Sequence, residues 1–227
     1  MKITYLDHSG FTVELGQWLL AFDVWNPNAD AAGKGILVKS EVASHEKSAL
    51  MLSHSHYDHY CKEALELPFG HVILSEDFPG EIGGVRMAVG AEQAFDDMTV
   101  RTFGSTDMGV SFLADVCGKR IFHAGDYNLW HWEDESTQEE IDEATQWFED
   151  ILETLKPYAG SIDVAFFPLD PRMGANTARG MERFLDVMRP KLTIPMHCQG
   201  NEALPRGFAA AHENVRAMCT RGEVLEV

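Results

Sequence analysis

Three histidines and an aspartate crowd into His54-Ser-His-Tyr-Asp-His59, directly after the apolar run Leu50-Met-Leu-Ser53. That run reads as a buried strand, so the cluster emerges at a strand end. In an extended chain alternate side chains share a face, which sends His54 and His56 to the same side, able to grip one metal together. Asp58 and His59 fall where the chain should turn into a short helix at Cys61–Leu67, and the change of direction can carry them to a second metal. Packing gives such a loop no reason to be rich in histidine. Neutral imidazoles with a carboxylate suit zinc best, and manganese or iron are compatible with the donors.

The rest of the composition narrows the partners. Among 227 residues, 36 are Asp or Glu and 18 are Lys or Arg, a net charge of −18 that repels nucleic-acid backbones. Much of the acid lies between Glu133 and Glu153 and reads as a solvated helix face. No apolar run approaches the roughly 18 residues of a membrane span, no basic amphipathic segment would dock on a bilayer, and the N-terminus lacks a secretory layout. Cys61, Cys117, Cys198 and Cys219 form no Cys-x-x-Cys pair, which fits reduced thiols in a cytoplasm. The expected partner is a small-molecule substrate, with a homo-oligomer left open. Neither a repeat nor a linker divides the chain, so residues 1–227 are expected to form one domain.

Short β patterns fill the first part: Lys2–Leu6, Phe11–Leu15, Trp18–Asp23, Ile36–Lys39, Leu50–Ser53, Val72–Ser75, Val85–Val89, Met98–Phe103, Val110–Ala114 and Arg120–His123. Glycines in Leu15-Gly-Gln-Trp18 and Cys117-Gly-Lys119 mark hairpin turns. Ser136 with Glu139 has the spacing of a capping box, followed by Ile141, Ala144, Phe148, Ile151, Leu152 and Leu155 at helical intervals and stopped by Pro157. Further helices are expected over Thr177–Met188 and Phe208–Met218, with buried strands at Ile162–Pro168 and Leu192–Met196. The order implies an α+β fold of two sheets packed face to face with helices outside.

The His54–His59 motif resembles that of the metallo-β-lactamase superfamily. His123-Ala-Gly-Asp126, after an apolar strand, is similar to its Gly-Asp element, and Pro195-Met-His197 to its last histidine. More closely, Tyr5-Leu-Asp-His-Ser-Gly-Phe11, Phe122-His-Ala-Gly-Asp126 and Ile162-Asp-Val-Ala-Phe-Phe-Pro168 resemble the branch containing ascorbate-6-phosphate lactonase and a set of bacterial metal-dependent hydrolases. The resemblance implies a four-layer αββα sandwich with one or two divalent ions at one edge between the sheets. By it, His54 and His56 hold the first metal, Asp58, His59 and His197 the second, and Asp126 bridges them. The chain departs from the family in one place: no histidine lies between His71 and His123, where a further first-site ligand usually stands. Asp107, on the turn Gly104-Ser-Thr-Asp107, is the nearest substitute, with an Asx-turn or cap residue as the alternative.

The same resemblance implies hydrolysis of a small ester, lactone or phosphoester by metal-activated water, with Asp58 or Asp126 passing a proton to the leaving group. Diiron proteins of this fold carry His-x-Glu-x-Asp where this chain has His54, His56 and Asp58, which favours hydrolysis over oxygen chemistry. His123, His8 and Asp23 are expected to support the ligands by hydrogen bonding. Trp130 and Trp132 are candidate pocket walls, and Arg172 either meets a substrate anion or pairs with Asp170. His45, His71, His131 and His212 read as surface or packing residues. Two alternatives remain: a phosphodiesterase of the phospholipid-cleaving type, and a metal-binding sensor or scaffold without turnover.

Overall fold

The computed structural model describes residues 1–26, 37–130, 132 and 135–227. Strands β1 (Lys2–Asp7), β2 (Gly10–Leu15) and β3 (Trp18–Phe22) form an antiparallel meander. To it β4 (Lys47–Leu52), β5 (His71–Ser75) and β6 (Val85–Met87) add in parallel. The last strand of the chain, β13 (Val224–Glu226), closes the opposite edge, giving the order β13-β1-β2-β3-β4-β5-β6. In the other sheet β7 (Glu92–Phe95), β8 (Met98–Phe103), β9 (Ser111–Val116) and β10 (Lys119–His123) run antiparallel. Parallel strands β11 (Val164–Pro168) and β12 (Leu192–Met196) extend it beyond β10.

Period-two alternation explains why the sheets stack. On β3, Trp18, Leu20 and Phe22 join the large core with Phe11, Val13 and Met51, whereas Leu19 and Ala21 face a smaller cluster with Leu50, Leu52 and Leu74. Phe11 stacks on Phe166 of β11 with centroids 4.3 Å apart, one direct contact between the sheets. The smaller cluster is covered by Val42 of α1 (Lys39–Ser44) and Ala64 of α2 (Lys62–Leu65). Behind the other sheet, α3 (Gln138–Leu155) buries Phe148, Ile151, Leu152 and Leu155, and α4 (Arg179–Met188) buries Met181, Phe184 and Met188. Phe184 stacks on Phe122 and Phe167, 5.3 and 4.4 Å between centroids. The result is the expected α+β four-layer αββα sandwich.

Boundaries differ from the sequence reading in instructive ways. Over the described residues 37–39 no strand forms where one was expected at Ile36–Lys39; Ile36 lies outside the described residues, and Lys39 opens α1, where Val42 reaches the core. The capping box sits one residue later than Ser136 and Glu139. Thr137 accepts from the Glu140 N–H and the Glu140 carboxylate accepts from the Thr137 N–H at 2.7 Å, the reciprocal pair that satisfies two orphan donors. The helix expected at Phe208–Met218 is instead α5 (Ala203–Ala211), after which the chain extends and Val215 forms a parallel bridge with Thr193 beside β12. Strands β7 and β13 escaped the sequence reading because they are mostly exposed edge strands with little apolar alternation.

Two glycines weld the sheets together at one end. The N–H of Val110 donates to the Ser53 carbonyl at 3.0 Å, tying the entry of β9 to the exit of β4. This close approach requires Gly109, whose φ is +71° and whose absent Cβ would overlap the Ser53 carbonyl oxygen. Gly125, at φ +55°, likewise leaves room for the Ser53 side chain, since a Cβ there would lie 2.7 Å from Ser53 Cβ. By contrast Gly118, at φ +70° in the β9–β10 turn, faces open space. Gly118→Ala is therefore expected to cost about 1–2 kcal/mol, the strain of a left-handed alanine alone. Gly109→Ala adds the overlap and should lose more than about 3 kcal/mol. Urea unfolding midpoints, at unchanged slope, measure the difference.

Candidate metal centre

The parallel strands all end at the edge that Ser53 helps to weld, and that edge collects the polar residues. Asp23 follows β3, His54–His59 follow β4, Asp126 follows β10, Asp170 follows β11, and His197 follows β12. The β1–β2 turn brings His8 to the same place. Loops beyond the carboxyl ends of parallel strands are where such folds concentrate ligand sites. His8, Asp23 and His197 each adopt left-handed backbone, with φ of 55°, 42° and 64°. Non-glycine residues in that region cost about 1–3 kcal/mol each and cluster where side chains must be aimed.

Asp126 occupies the centre, only 6% exposed. Its Oδ1 lies 3.0 Å from His59 Nε2 and 3.3 Å from His197 Nε2, and its Oδ2 lies 3.5 Å from His54 Nε2. His56 Nδ1 sits 3.0 Å from His54 Nε2. The donors fall into two groups, His54, His56 and Asp126 in one, His8, Asp58, His59 and His197 in the other, with one atom from each member within 4.8 Å of the rest of its group. The geometry thus brings together the six residues read from sequence as ligands, and places His8, expected only as a hydrogen-bonding support, within the second group. Asp107 stands at the margin, its Oδ2 3.9 Å from His56 Nδ1 and its side chain half-exposed.

Two carboxylates behind the cluster aim its imidazoles. Asp23, wholly buried, accepts from the Ser53 N–H at 2.7 Å and the Ser53 hydroxyl at 2.6 Å, and lies 2.7 Å from His59 Nδ1. Asp170 stands 2.7 Å from His197 Nδ1 and accepts from the Arg172 N–H and guanidinium. A proton held at each Nδ1 leaves each Nε2 facing Asp126, the arrangement that orients metal-binding histidines. Asp23, expected from sequence as a support, is thus placed within hydrogen-bonding distance of His59 and Ser53. Asp170 was foreseen only as a partner for Arg172; its position just past an apolar strand, like Asp23 and Asp126, was the available signal. His123 supports without joining: the Gly125 N–H donates to its Nδ1 at 3.2 Å, so its Nε2 donates to the Ser9 carbonyl at 2.8 Å. That bond ties β10 to the β1–β2 turn.

Charge distribution follows from these contacts. Burial alone would lower His59, but the Asp126 and Asp23 carboxylates outweigh it and raise it to about 10. His197 is raised against its burial by Asp126 and Asp170. Burial and neighbouring His59 push His54 down to about 4. Asp126 is held well below the usual carboxylate range because His59 and His197 overcome its desolvation, and Asp58 is lowered chiefly by His8. Burial and the Asp126 charge push Asp107 up. Four buried atoms at the centre, His8 Nε2, His59 Nε2, Asp126 Oδ1 and His197 Nε2, have no well-formed hydrogen bond. Converging nitrogen and oxygen atoms of this kind are what a divalent cation satisfies once it displaces the imidazole protons.

An aromatic wall rises on one side. Trp130 donates its indole N–H to the Asp126 carbonyl at 2.9 Å and meets the His197 ring edge-on, 5.7 Å between centroids. Trp132 stacks parallel to Trp130, and the Arg172 guanidinium, half-exposed, lies 5.6 Å over the Trp132 ring while paired to Asp170. His131 lies outside the described residues.

Comparison with known proteins places this geometry in context. A family profile described as "Beta-lactamase superfamily domain" matches residues 2–197. A UPF0173 metal-dependent hydrolase of Symbiobacterium thermophilum is 30% identical over 216 residues, covering 87% of this chain and 84% of the relative. Another, from Opitutus terrae, is 29% identical over 266 residues and spans the whole of both chains. Among solved structures, the metallo hydrolase Igni18 of Ignicoccus hospitalis superposes with a TM-score of 0.67 at 16% identity, covering 100% of this chain and 98% of its own. That likeness speaks for the fold. No helix among the described residues is long and apolar enough to cross a membrane.

Removing an aiming carboxylate should loosen the centre without touching the donors that face it. Asp170→Ala is expected to weaken binding of Zn2+ by about 10- to 100-fold. Calorimetric titration of the metal-free protein provides the measurement.

Proposed function

This chain belongs to the metallo-β-lactamase superfamily, and from that premise we propose that it is a metal-dependent hydrolase whose substrate is a small soluble ester, lactone or phosphoester. The observation that carries the reading is the convergence of the His59 and His197 Nε2 atoms on the buried Asp126 carboxylate without well-formed hydrogen bonds, with His8 Nε2 buried beside Asp58 in the same cluster. His54, His56 and Asp126 would hold one ion and Asp58, His59 and His197 another, with Asp107 the further carboxylate beside His56. Zinc suits the imidazole-rich donors best, and manganese or iron suit the carboxylates. A divalent ion supplies Lewis acidity, which acidifies water and polarises a carbonyl or phosphoryl oxygen.

The chain's own groups support the remaining steps. Asp58, partly exposed and held ionised beside His8, offers a carboxylate oxygen that takes a proton from water and returns it to the leaving-group oxygen. Asp126 has a less accessible carboxylate, consistent with a holding role. Trp130 and Trp132 offer an apolar wall to the substrate, and Arg172 places positive charge at its rim for a carboxylate or phosphate. Cysteine is a poor rival nucleophile: Cys198, next to His197, is pushed up to about 12, chiefly by burial, and Cys61 and Cys219 are also raised.

The test is a panel of lactones, esters and phosphodiesters offered to protein loaded with Zn2+ or Mn2+. At least one class should be hydrolysed, with activity lost on chelation and reduced at least about 100-fold in Asp126→Ala. Folded, metal-loaded protein that is silent across the panel would overturn the hydrolase reading and fit a metal-binding sensor.

A further inference from the structure

The two donor groups are unequal, and the inequality runs opposite to the family resemblance. The group nearer Asp107 has two imidazoles, His54 and His56, and its further carboxylate is half-exposed and 3.9 Å away from His56. The other group has three imidazoles, because His8 stands with His59 and His197 around Asp58. Its ring centroid is 3.9 Å from that of His197 and 5.8 Å from that of His59, and its Nε2 lies 3.5 Å from Asp58 Oδ2.

Three observations single His8 out from a packing histidine. Its Nε2 is buried without a hydrogen-bond partner, a penalty that ordinary packing residues avoid. Its backbone is left-handed, a strained conformation that turns the imidazole toward the cluster. That conformation is clamped from both sides: the His8 N–H donates to the Tyr5 hydroxyl at 2.8 Å, and the His8 carbonyl accepts from the His197 N–H at 3.3 Å. The last bond couples the backbones of His8 and His197 directly. His123 offers the contrast, since both its ring nitrogens are engaged and neither is left over.

We propose that His8 Nε2 is a direct ligand of the ion held by Asp58, His59 and His197, which makes this the tight position and leaves the His54–His56 position the weaker one. The inference rests on the metal-dependent hydrolase reading. A third neutral nitrogen among the buried donors favours a first-row dication there over the position that has only two. A histidine absent after β8 is thus offset by one gained from the β1–β2 turn, at the other ion.

Metal-free protein titrated calorimetrically with Zn2+ alone should bind one equivalent at least about 10-fold more tightly than a second. His8→Asn, in which asparagine tolerates the left-handed backbone, should weaken the tight equivalent at least about 10-fold, whereas His56→Ala should weaken only the loose one. X-ray absorption of wild-type protein carrying one equivalent of Zn2+ needs no variant, and should show three imidazole ligands. Two imidazoles in that spectrum, a His8→Asn protein of wild-type thermal stability whose tight affinity is unchanged, or loss of the tight ion in His56→Ala would each overturn the assignment while leaving the hydrolase reading intact. A wild-type protein that binds no ion overturns both.

Discussion

A carboxylate buried among three imidazoles is the constraint around which this fold is arranged. Asp126 is nearly sealed from solvent, and such a charge is tolerated only when opposite charge or hydrogen bonds answer it. In the metal-free chain the answer is His59, which lies between Asp126 and Asp23 and whose proton affinity both carboxylates raise. That arrangement answers the charge without completing the centre, because Nε2 atoms and Asp126 Oδ1 still face one another without well-formed hydrogen bonds. An ion that replaces the imidazole protons would be answered by the same ligands. The hydrogen-bonded carboxylates behind them need not move.

The scaffold makes that arrangement affordable by bringing strand ends together. Ser53 illustrates how: its backbone N–H and hydroxyl bond to Asp23 at the end of β3, and its carbonyl accepts from Val110 at the start of β9. One residue thus links both sheets and aims the first carboxylate behind the cluster. Gly109 and Gly125 flank it because nothing larger fits. Strain in the backbone of His8, Asp23 and His197 is tolerated where these contacts overdetermine the conformation.

Much of this was legible in the sequence, for a physical reason. His54–His59 could be read because alternation along an extended segment and a change of direction after it are local properties. Asp126 and His197 became legible only through the resemblance of their strand-end motifs to the superfamily's Gly-Asp element and last histidine. The sandwich followed from element order, since strands alternating on two faces must be covered twice. What could not be read was long-range. Asp170 pairs with His197 across 27 positions, and His8 meets Asp58 across 50, contacts that no local pattern encodes. The end of α5 was misplaced for a similar reason: the bridge from Val215 to Thr193 overrides a helical pattern that continues to Met218.

The same distinction explains why the number of histidines in the first motif is a poor guide to where an ion is held best. His54 and His56 are adjacent on one strand exit, so their approach is inexpensive, but His56 is partly exposed and its nearest further donor is a solvated Asp107. His8, His59 and His197 come from three separate segments, and ordering each of them costs conformational entropy that the fold has already supplied through β1, β4 and β12. Preorganised, buried donors lose less on binding than mobile, hydrated ones. Affinity at such an edge is therefore governed by the strand ends that converge on it more than by the motif that announces it.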